Sequence, residues 1–248
     1  MYDFSQRIAV VTGAGKGIGR AIAERMLQDQ VKGLAIIDWN KELLEQTAKE
    51  LDPTGKRALP IQCDISDAEG VHAAYEQIIA RFGRVDVLIN NASITRDAIF
   101  HKMTMEQMKK VMDVNFYGTY YWINEVIPGM REQEYGKIVN ITSTSVYGNP
   151  GQANYSASKS AVEGLTRTLA KEVARKNITV NCIEPAIIET DMMLAIPEEN
   201  LKKFKANLPM QRMGKPEEIA AVAAFLSTDD SSYVSGAMII ASGSFTTK

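Results

Sequence analysis

The chain has 248 residues, 45% hydrophobic and 23% charged, with a formal net charge of −2. That balance is ordinary for a globular protein and leaves no electrostatic surplus for nucleic acid or anionic lipid. No apolar run reaches the roughly 18 to 20 residues that span a bilayer, and residues 1–11 lack the basic-then-apolar order of a secretory signal, so a cytoplasmic location is expected.

Apolar β-branched runs alternate with helical spacing along the chain. Ile8–Thr12 reads as a strand and Gly17–Gln28 as a helix; Gly33–Asp38 and Lys41–Leu51 repeat the pair. Residues 58–63 form the next strand and Ala68–Phe82 the next helix, followed by strands at 85–90, 137–142 and 178–183 and a last one at 237–241. Long helices are predicted over 104–131 and 155–176. Strands this continuously apolar are buried on both faces, which predicts a doubly wound α/β fold: a mainly parallel sheet with helices on both sides, in one domain spanning 1–248. Cys63 and Cys182 lie within apolar runs. With His72 and His101 they do not supply about four ligands at usable spacing, so they read as small core residues and no metal is expected. Residues 190–213 break the alternation with Met192, Met193, Leu194, Ile196, Leu201, Phe204, Met210 and Met213 among charges, a pattern that fits a substrate lid or plain packing.

The first strand runs straight into Gly13, Gly15, Lys16, Gly17, Ile18 and Gly19, where the first helix begins. Glycines allow a tight turn and let a pyrophosphate approach the backbone, while the helix start offers unpaired N–H groups and a positive dipole end. A simple turn would use the same glycines, but strand, loop and helix together point to a dinucleotide. Asp38 closes the second strand, where a carboxylate can accept hydrogen bonds from the adenosine ribose and repel a 2′-phosphate, which favours NAD over NADP. Lys16 argues the other way.

Tyr155 and Lys159 stand four apart at the start of a long helix and so share a face. An ammonium beside a phenol stabilises phenolate. Bringing a tyrosine from about 10 to about 7 takes roughly 4 kcal/mol, which Lys159 together with a positively charged nicotinamide could supply. Ser143 ends the strand before it, and Asn90, Asn91, Ala92 and Ser93 end the fourth. In an open parallel sheet such carboxyl ends line the ligand crevice.

On Thr12 with the glycine loop, Cys63-Asp64, Asn90-Asn-Ala92, Asn115, Ser143, Tyr155 with Lys159, and Pro185 with Thr190, the chain resembles the short-chain dehydrogenase/reductase family, and within it the 3-oxoacyl-(acyl-carrier-protein) reductases and related alcohol dehydrogenases. The resemblance implies hydride transfer between a nicotinamide cofactor and an alcohol/ketone pair. It makes Tyr155 the proton carrier and has Ser143 hold the substrate oxygen. Lys159 would bind the nicotinamide ribose, and Asn115 would anchor a water in a relay to it. Asp64 would meet the adenine amino group, Ile65 the adenine ring, Asn91 the ribose, and Ile188 and Thr190 the carboxamide. A homotetramer is implied, with Phe116, Tyr120, Tyr121 and Trp122 as spare apolar surface. Four departures stand out: Ser93 where the family has Gly, Ala186 after Glu184-Pro185 where it has Gly, Ala241-Ser-Gly243 near the end, and a loop from Ser143 to Tyr155 one residue short. Thr142 and Ser145 therefore remain alternatives for the catalytic hydroxyl. Carrier-protein reduction is the alternative activity, with Lys176 as a docking cation opposed by Glu132 and Glu134. A non-catalytic nicotinamide-binding scaffold is a further alternative, which the full Ser143, Tyr155 and Lys159 set argues against. No nucleic-acid or membrane partner is expected.

Overall fold

The structure, a computed structural model, describes residues 2–190, 205–206 and 208–246. Its strands are β1 (Ile8–Thr12), β2 (Gly33–Asp38), β3 (Ala58–Gln62), β4 (Val87–Asn90), β5 (Gly136–Ile141), β6 (Ile178–Pro185) and β7 (Met238–Ala241). The helices are α1 (Gly17–Gln28), α2 (Lys41–Leu51), α3 (Ala68–Phe82), α4 (Met105–Met112), α5 (Gly118–Glu132), α6 (Ala153–Val173) and α7 (Pro216–Leu226). The strands pair in parallel as one sheet in the order β3-β2-β1-β4-β5-β6-β7, the expected doubly wound α/β fold.

Strand alternation builds two cores. Ala9, Val11, Leu34, Ile36, Val139 and Ile183 face the layer of α1 and α7. Val10, Ala35, Ile37, Ile138 and Val180 face α3, α5 and α6. Each fully buried Val, Leu or Ile side chain is worth about 1.5–3 kcal/mol relative to exposure. That is why strands buried on both faces carry no polar alternation.

Boundaries shift where side chains take over backbone duties. β4 starts after Asp86, whose buried carboxylate accepts the Ile8 N–H at 2.8 Å. The helix expected over 104–131 is two helices joined by a π-helical segment, Asp113–Tyr117. One wide turn lets Asn115 reach back to the loop after β4, and such turns recur at functional sites. α4 opens with a Thr104–Gln107 capping box. α6 starts two residues before Tyr155 and ends at Val173, followed by a 3₁₀ turn that closes at Asn177 with φ 53°. Of the expected lid, residues 191–204 and 207 lie outside the described ones. Both cysteines are buried; burial pushes the Cys63 thiol up to about 11 and the Cys182 thiol to about 12.

Candidate active site

Strand order reverses beside β1, whose neighbours are β2 and β4, so connections leave in opposite directions and a crevice opens at the carboxyl ends. Thr12, Gly13, Asn90 and Asn91 stand there. Gly13 has φ 64°, and a Cβ on Gly19 would lie 2.1 Å from the Gly13 carbonyl oxygen, so no side chain fits at that crossing. Asn91 locks the loop. Its Nδ2 donates to the carbonyls of Thr12 (3.0 Å) and Gly13 (3.1 Å), while the Thr12 hydroxyl accepts the N–H groups of Asn91 (3.0 Å) and Ala92 (3.1 Å). The Asn91 side chain thus shapes the loop from below.

Asn40, Asp67 and Thr104 cap α2, α3 and α4 with their side chains. Among the described residues no side chain caps α1, and its first turn carries no acid. Its leading N–H groups and positive end face the crevice without a protein partner, the donor set that a pyrophosphate requires. Lys16 is exposed at this helix start, with Gly17 and Ile18 partly buried beside it. The Asp38 carboxylate is held by the N–H groups of Gly15 (3.0 Å) and Asn40 (3.1 Å), each oxygen keeping further acceptor capacity. Asp64 accepts from the N–H (2.9 Å) and hydroxyl (2.6 Å) of Ser66. Burial raises its pKa, but those hydrogen bonds and Lys110 together hold it below the ordinary carboxylate value. Ile65 is buried against Gly118. Thr190 comes to the glycine loop, its Cγ2 3.6 Å from where a Cβ on Gly17 would stand, and Ile188 is buried and bridged to Gly214. The cofactor residues read from the sequence therefore gather along the carboxyl edge of the sheet, with Ile65 and Ile188 packed beneath it.

Across the crevice, Ser143 stands two residues past the end of β5 with φ −171°, and its hydroxyl accepts the Ser145 N–H at 3.1 Å. The same hydroxyl, and that of Ser93, act to lower the pKa of the Tyr155 phenol. Thr142 turns away, buried, and donates to the Ile183 carbonyl at 3.1 Å. Ser145 is buried too, its hydroxyl apart from the phenol. Lys159 is 3% exposed, donates to the Ile141 carbonyl at 2.8 Å, and lies 5.6 Å from the centre of the Tyr155 ring. Burial brings its ammonium down to about 8. Burial also pushes the Tyr155 phenol above its usual value, against the pull of Ser93 and Ser143 and with a small addition from Asp97. The four-residue spacing predicts that Lys159 lowers that phenol. In the protein alone burial wins, because the same low-dielectric surroundings weaken both charged forms. Asn115 fixes the segment after β4: Oδ1 accepts the Ile94 N–H (2.9 Å), and Nδ2 donates to the Ile94 carbonyl (3.0 Å) and the Ser158 hydroxyl (3.0 Å).

This geometry belongs with a matching ancestry. A family model described as short chain dehydrogenase covers residues 7–201. The chain belongs to the short-chain dehydrogenase/reductase family. Like the family it binds a nicotinamide cofactor and is an oxidoreductase acting on CH–OH groups, moving a hydride between that cofactor and an alcohol/ketone pair. It is 40% identical over 236 residues to a 3-oxoacyl-(acyl-carrier-protein) reductase of Thermotoga maritima, covering 94% of this chain and 95% of that one. It is 39% identical to an acetoacetyl-CoA reductase of Cupriavidus necator, covering 94% and 95%. The crystal structure of levodione reductase superposes with a TM-score of 0.90 at 34% identity, covering 98% of each chain.

Against this family pattern, the departures resolve individually. Ala186 does not adopt a positive φ, so its methyl group carries no backbone strain. Gly148 and Gly151 do adopt positive φ, 105° and 88°, which lets the short loop before Tyr155 close. Glu184 is fully buried and accepts from the Tyr147 hydroxyl, tying that loop to β6. Ser93 is exposed after β4, and its hydroxyl acts to lower the Tyr155 pKa, an effect that its place in the sequence does not reveal.

Proposed function

We propose that this oxidoreductase uses Tyr155 as general acid/base, Ser143 to orient the substrate oxygen and Lys159 to hold the cofactor ribose, with NAD(H) as the preferred cofactor. The observation that carries the reading is the buried Lys159, held by the Ile141 carbonyl at the end of β5 with its ammonium 5.6 Å from the centre of the Tyr155 ring. A bound nicotinamide supplies the hydride donor or acceptor and, when oxidised, a positive charge near the phenol. In the reducing direction Tyr155 gives its proton to the substrate oxygen while Ser143 donates a hydrogen bond to the same atom. Proton transfer of this kind is typically worth 10²- to 10⁴-fold in rate.

NAD(H) is favoured by Asp38, which the N–H groups of Gly15 and Asn40 fix in place at the end of β2. The neighbouring Trp39 is uncharged, and Arg20 is committed to Glu50 at 2.8 Å, which leaves the exposed Lys16 as the opposing cation. Catalytic efficiency with each cofactor, measured by reduced-nicotinamide absorbance on one ketone, is expected to favour NADH. A tenfold preference for NADPH, about 1.4 kcal/mol, would overturn this.

The substrate is a small free ketone or alcohol. Reduction of a carrier-bound 3-oxoacyl group is the second reading, favoured by the Thermotoga maritima relative. Against it, Lys176, the cation expected to dock an acidic carrier, is paired with Glu134 at 2.8 Å. Comparing acetoacetyl-CoA with the same acyl group on a carrier protein separates the two. The enzyme is further proposed to be cytoplasmic, a single domain with a lid at about 190–213, and a homotetramer. Among the described residues no helix is long and apolar enough to cross a membrane.

A further inference from the structure

Glu184 breaks the pattern that builds the rest of β6. On its face of the strand Val180 packs in the core with α5 and α6, and Cys182 lies against Thr166 of α6 at 3.2 Å. The two-residue period puts Glu184 next in that row, fully buried. A carboxylate there costs more than an apolar residue of similar size would. Among the described residues its Oε1 has no hydrogen-bond partner, and its Oε2 accepts the Tyr147 hydroxyl at 2.5 Å. The polar end of Glu184 is thus spent on Tyr147.

The position of the pair gives that contact a use. Ile141 of β5 pairs with Ile183, so Glu184 stands one step on, level with Thr142 and one short of Ser143, at the carboxyl edge where the crevice opens. Tyr147 closes the 3₁₀ turn Thr144–Tyr147 directly after Ser143, on the loop that leads to Tyr155. It is 42% exposed. Its oxygen is drawn inward to a carboxylate with no exposure, so the part left at the surface is the ring. A phenol has one hydrogen to donate. With that hydrogen on Glu184, a substrate group beside Tyr147 meets an apolar wall.

We propose that Glu184 is a positioning residue that sets substrate choice: it takes the Tyr147 hydroxyl and leaves the ring facing the bound ketone, so the enzyme selects ketones whose group beside the carbonyl is apolar. This deepens the free-ketone reading above and rests on it. No bond is made or broken at either residue. An apolar wall rejects a hydroxyl because that group leaves water and gains no partner. Without an acceptor at position 184, the Tyr147 hydrogen is released to the substrate, and a hydroxyl-bearing ketone gains the partner it lacked.

The test compares two ketones of equal size, 2-pentanone and 4-hydroxy-2-butanone, which differ by a methyl against a hydroxyl. The wild type should prefer 2-pentanone in kcat/KM by at least about tenfold. Glu184→Leu should cut that preference by about tenfold through the Michaelis constants for the ketones, with that for NADH unmoved. Glu184→Gln keeps an acceptor and should keep the preference. Adding Tyr147→Phe to Glu184→Leu should restore it, which a simple packing defect would not do. A wild type that favours 4-hydroxy-2-butanone, a preference that Glu184→Leu leaves intact, or a loss that Tyr147→Phe does not reverse overturns the proposal. Should Glu184→Leu fail to fold, Tyr147→Phe alone decides: the ring stays, so the preference should hold, and a marked rise would show that the hydroxyl already faced the substrate. If the wild type reduces neither ketone, the free-ketone reading fails. Nitration of Tyr147 by tetranitromethane, read by peptide mass, then tests the Glu184 contact by itself. It should run about tenfold faster in Glu184→Leu, where the phenol proton is no longer held by a carboxylate, and an equal rate overturns the contact.

Discussion

Replacing Tyr155 with phenylalanine removes one oxygen and keeps the ring that packs at the start of α6. Turnover is expected to fall by at least about a hundredfold while NAD binding and the melting temperature hold, as steady-state kinetics and a thermal melt would report. Ser143→Ala should cost turnover strongly, whereas Thr142→Val and Ser145→Ala should leave it within a few-fold. Thr142 spends its hydroxyl on Ile183, and Ser145 is buried apart from the phenol. The pH dependence has a definite sign. Burial raises the Tyr155 pKa, so the phenol keeps its proton through the neutral range. Ketone reduction, which needs that proton, should stay level through neutrality and fall in alkali. Alcohol oxidation, which needs the phenolate, should climb as pH rises. A reduction rate that instead fell between pH 6 and 8, read from initial rates, would show that another group carries the proton.

At the scale of single elements, the turn between α2 and β3 hangs on one carboxylate. Asp52 accepts from the N–H groups of Arg57 (2.7 Å) and Ala58 (2.9 Å) and the Thr54 hydroxyl (2.6 Å). Burial acts to raise its pKa, but these hydrogen bonds outweigh it and bring the carboxyl down to about 2. Its folded pKa is depressed, so the stabilisation is present above the unfolded value near 4 and is lost as pH falls through about 2. Asp52→Asn should therefore cost on the order of 2 kcal/mol at pH 7 in urea unfolding, a difference that shrinks below pH 4 and vanishes near pH 2. The glycine loop is less forgiving. A methyl at Gly19 meets the Gly13 carbonyl at 2.1 Å, so Gly19→Ala should destabilise the protein by roughly 1–3 kcal/mol and abolish NAD binding measured by fluorescence quenching.

For the whole molecule, the open question of surface is assembly. Trp122 was expected among the spare apolar residues, yet it is fully buried in the core between α5 and the sheet. Tyr117 and Tyr120 instead lead the exposed face, at 45% and 43%, with Phe116 and Tyr121 half-buried beside them. β7, at the sheet's edge, stays half-exposed along its length. Two apolar surfaces at different places on one protomer suit a tetramer with two kinds of contact. Sedimentation at micromolar concentration should give a tetramer, and Tyr117→Glu with Tyr120→Glu should lower its order. A wild-type monomer under those conditions would refute the assembly.

Much of this enzyme is written in local pattern. Strands β1 and β2 and helices α1, α2 and α3 follow from apolar periodicity and end where expected, because burial on two faces or one stripe is a property of the sequence itself. The glycine loop, Asp38, Tyr155 and Lys159 are equally legible as residues of the crevice, since short-range spacing picks each of them out. What the sequence could not decide is whatever depends on residues far apart meeting. The π-helical turn exists because Asn115 reaches Ile94, 21 positions away. Lys176 reads as a free cation until Glu134, 42 positions away, closes on it. Thr142 read as a candidate hydroxyl beside Ser143 and Ser145 until the sheet turned it toward Ile183, 41 positions away. Periodicity determines which residues are buried; only closure of the chain decides which polar atoms are left to find one another there.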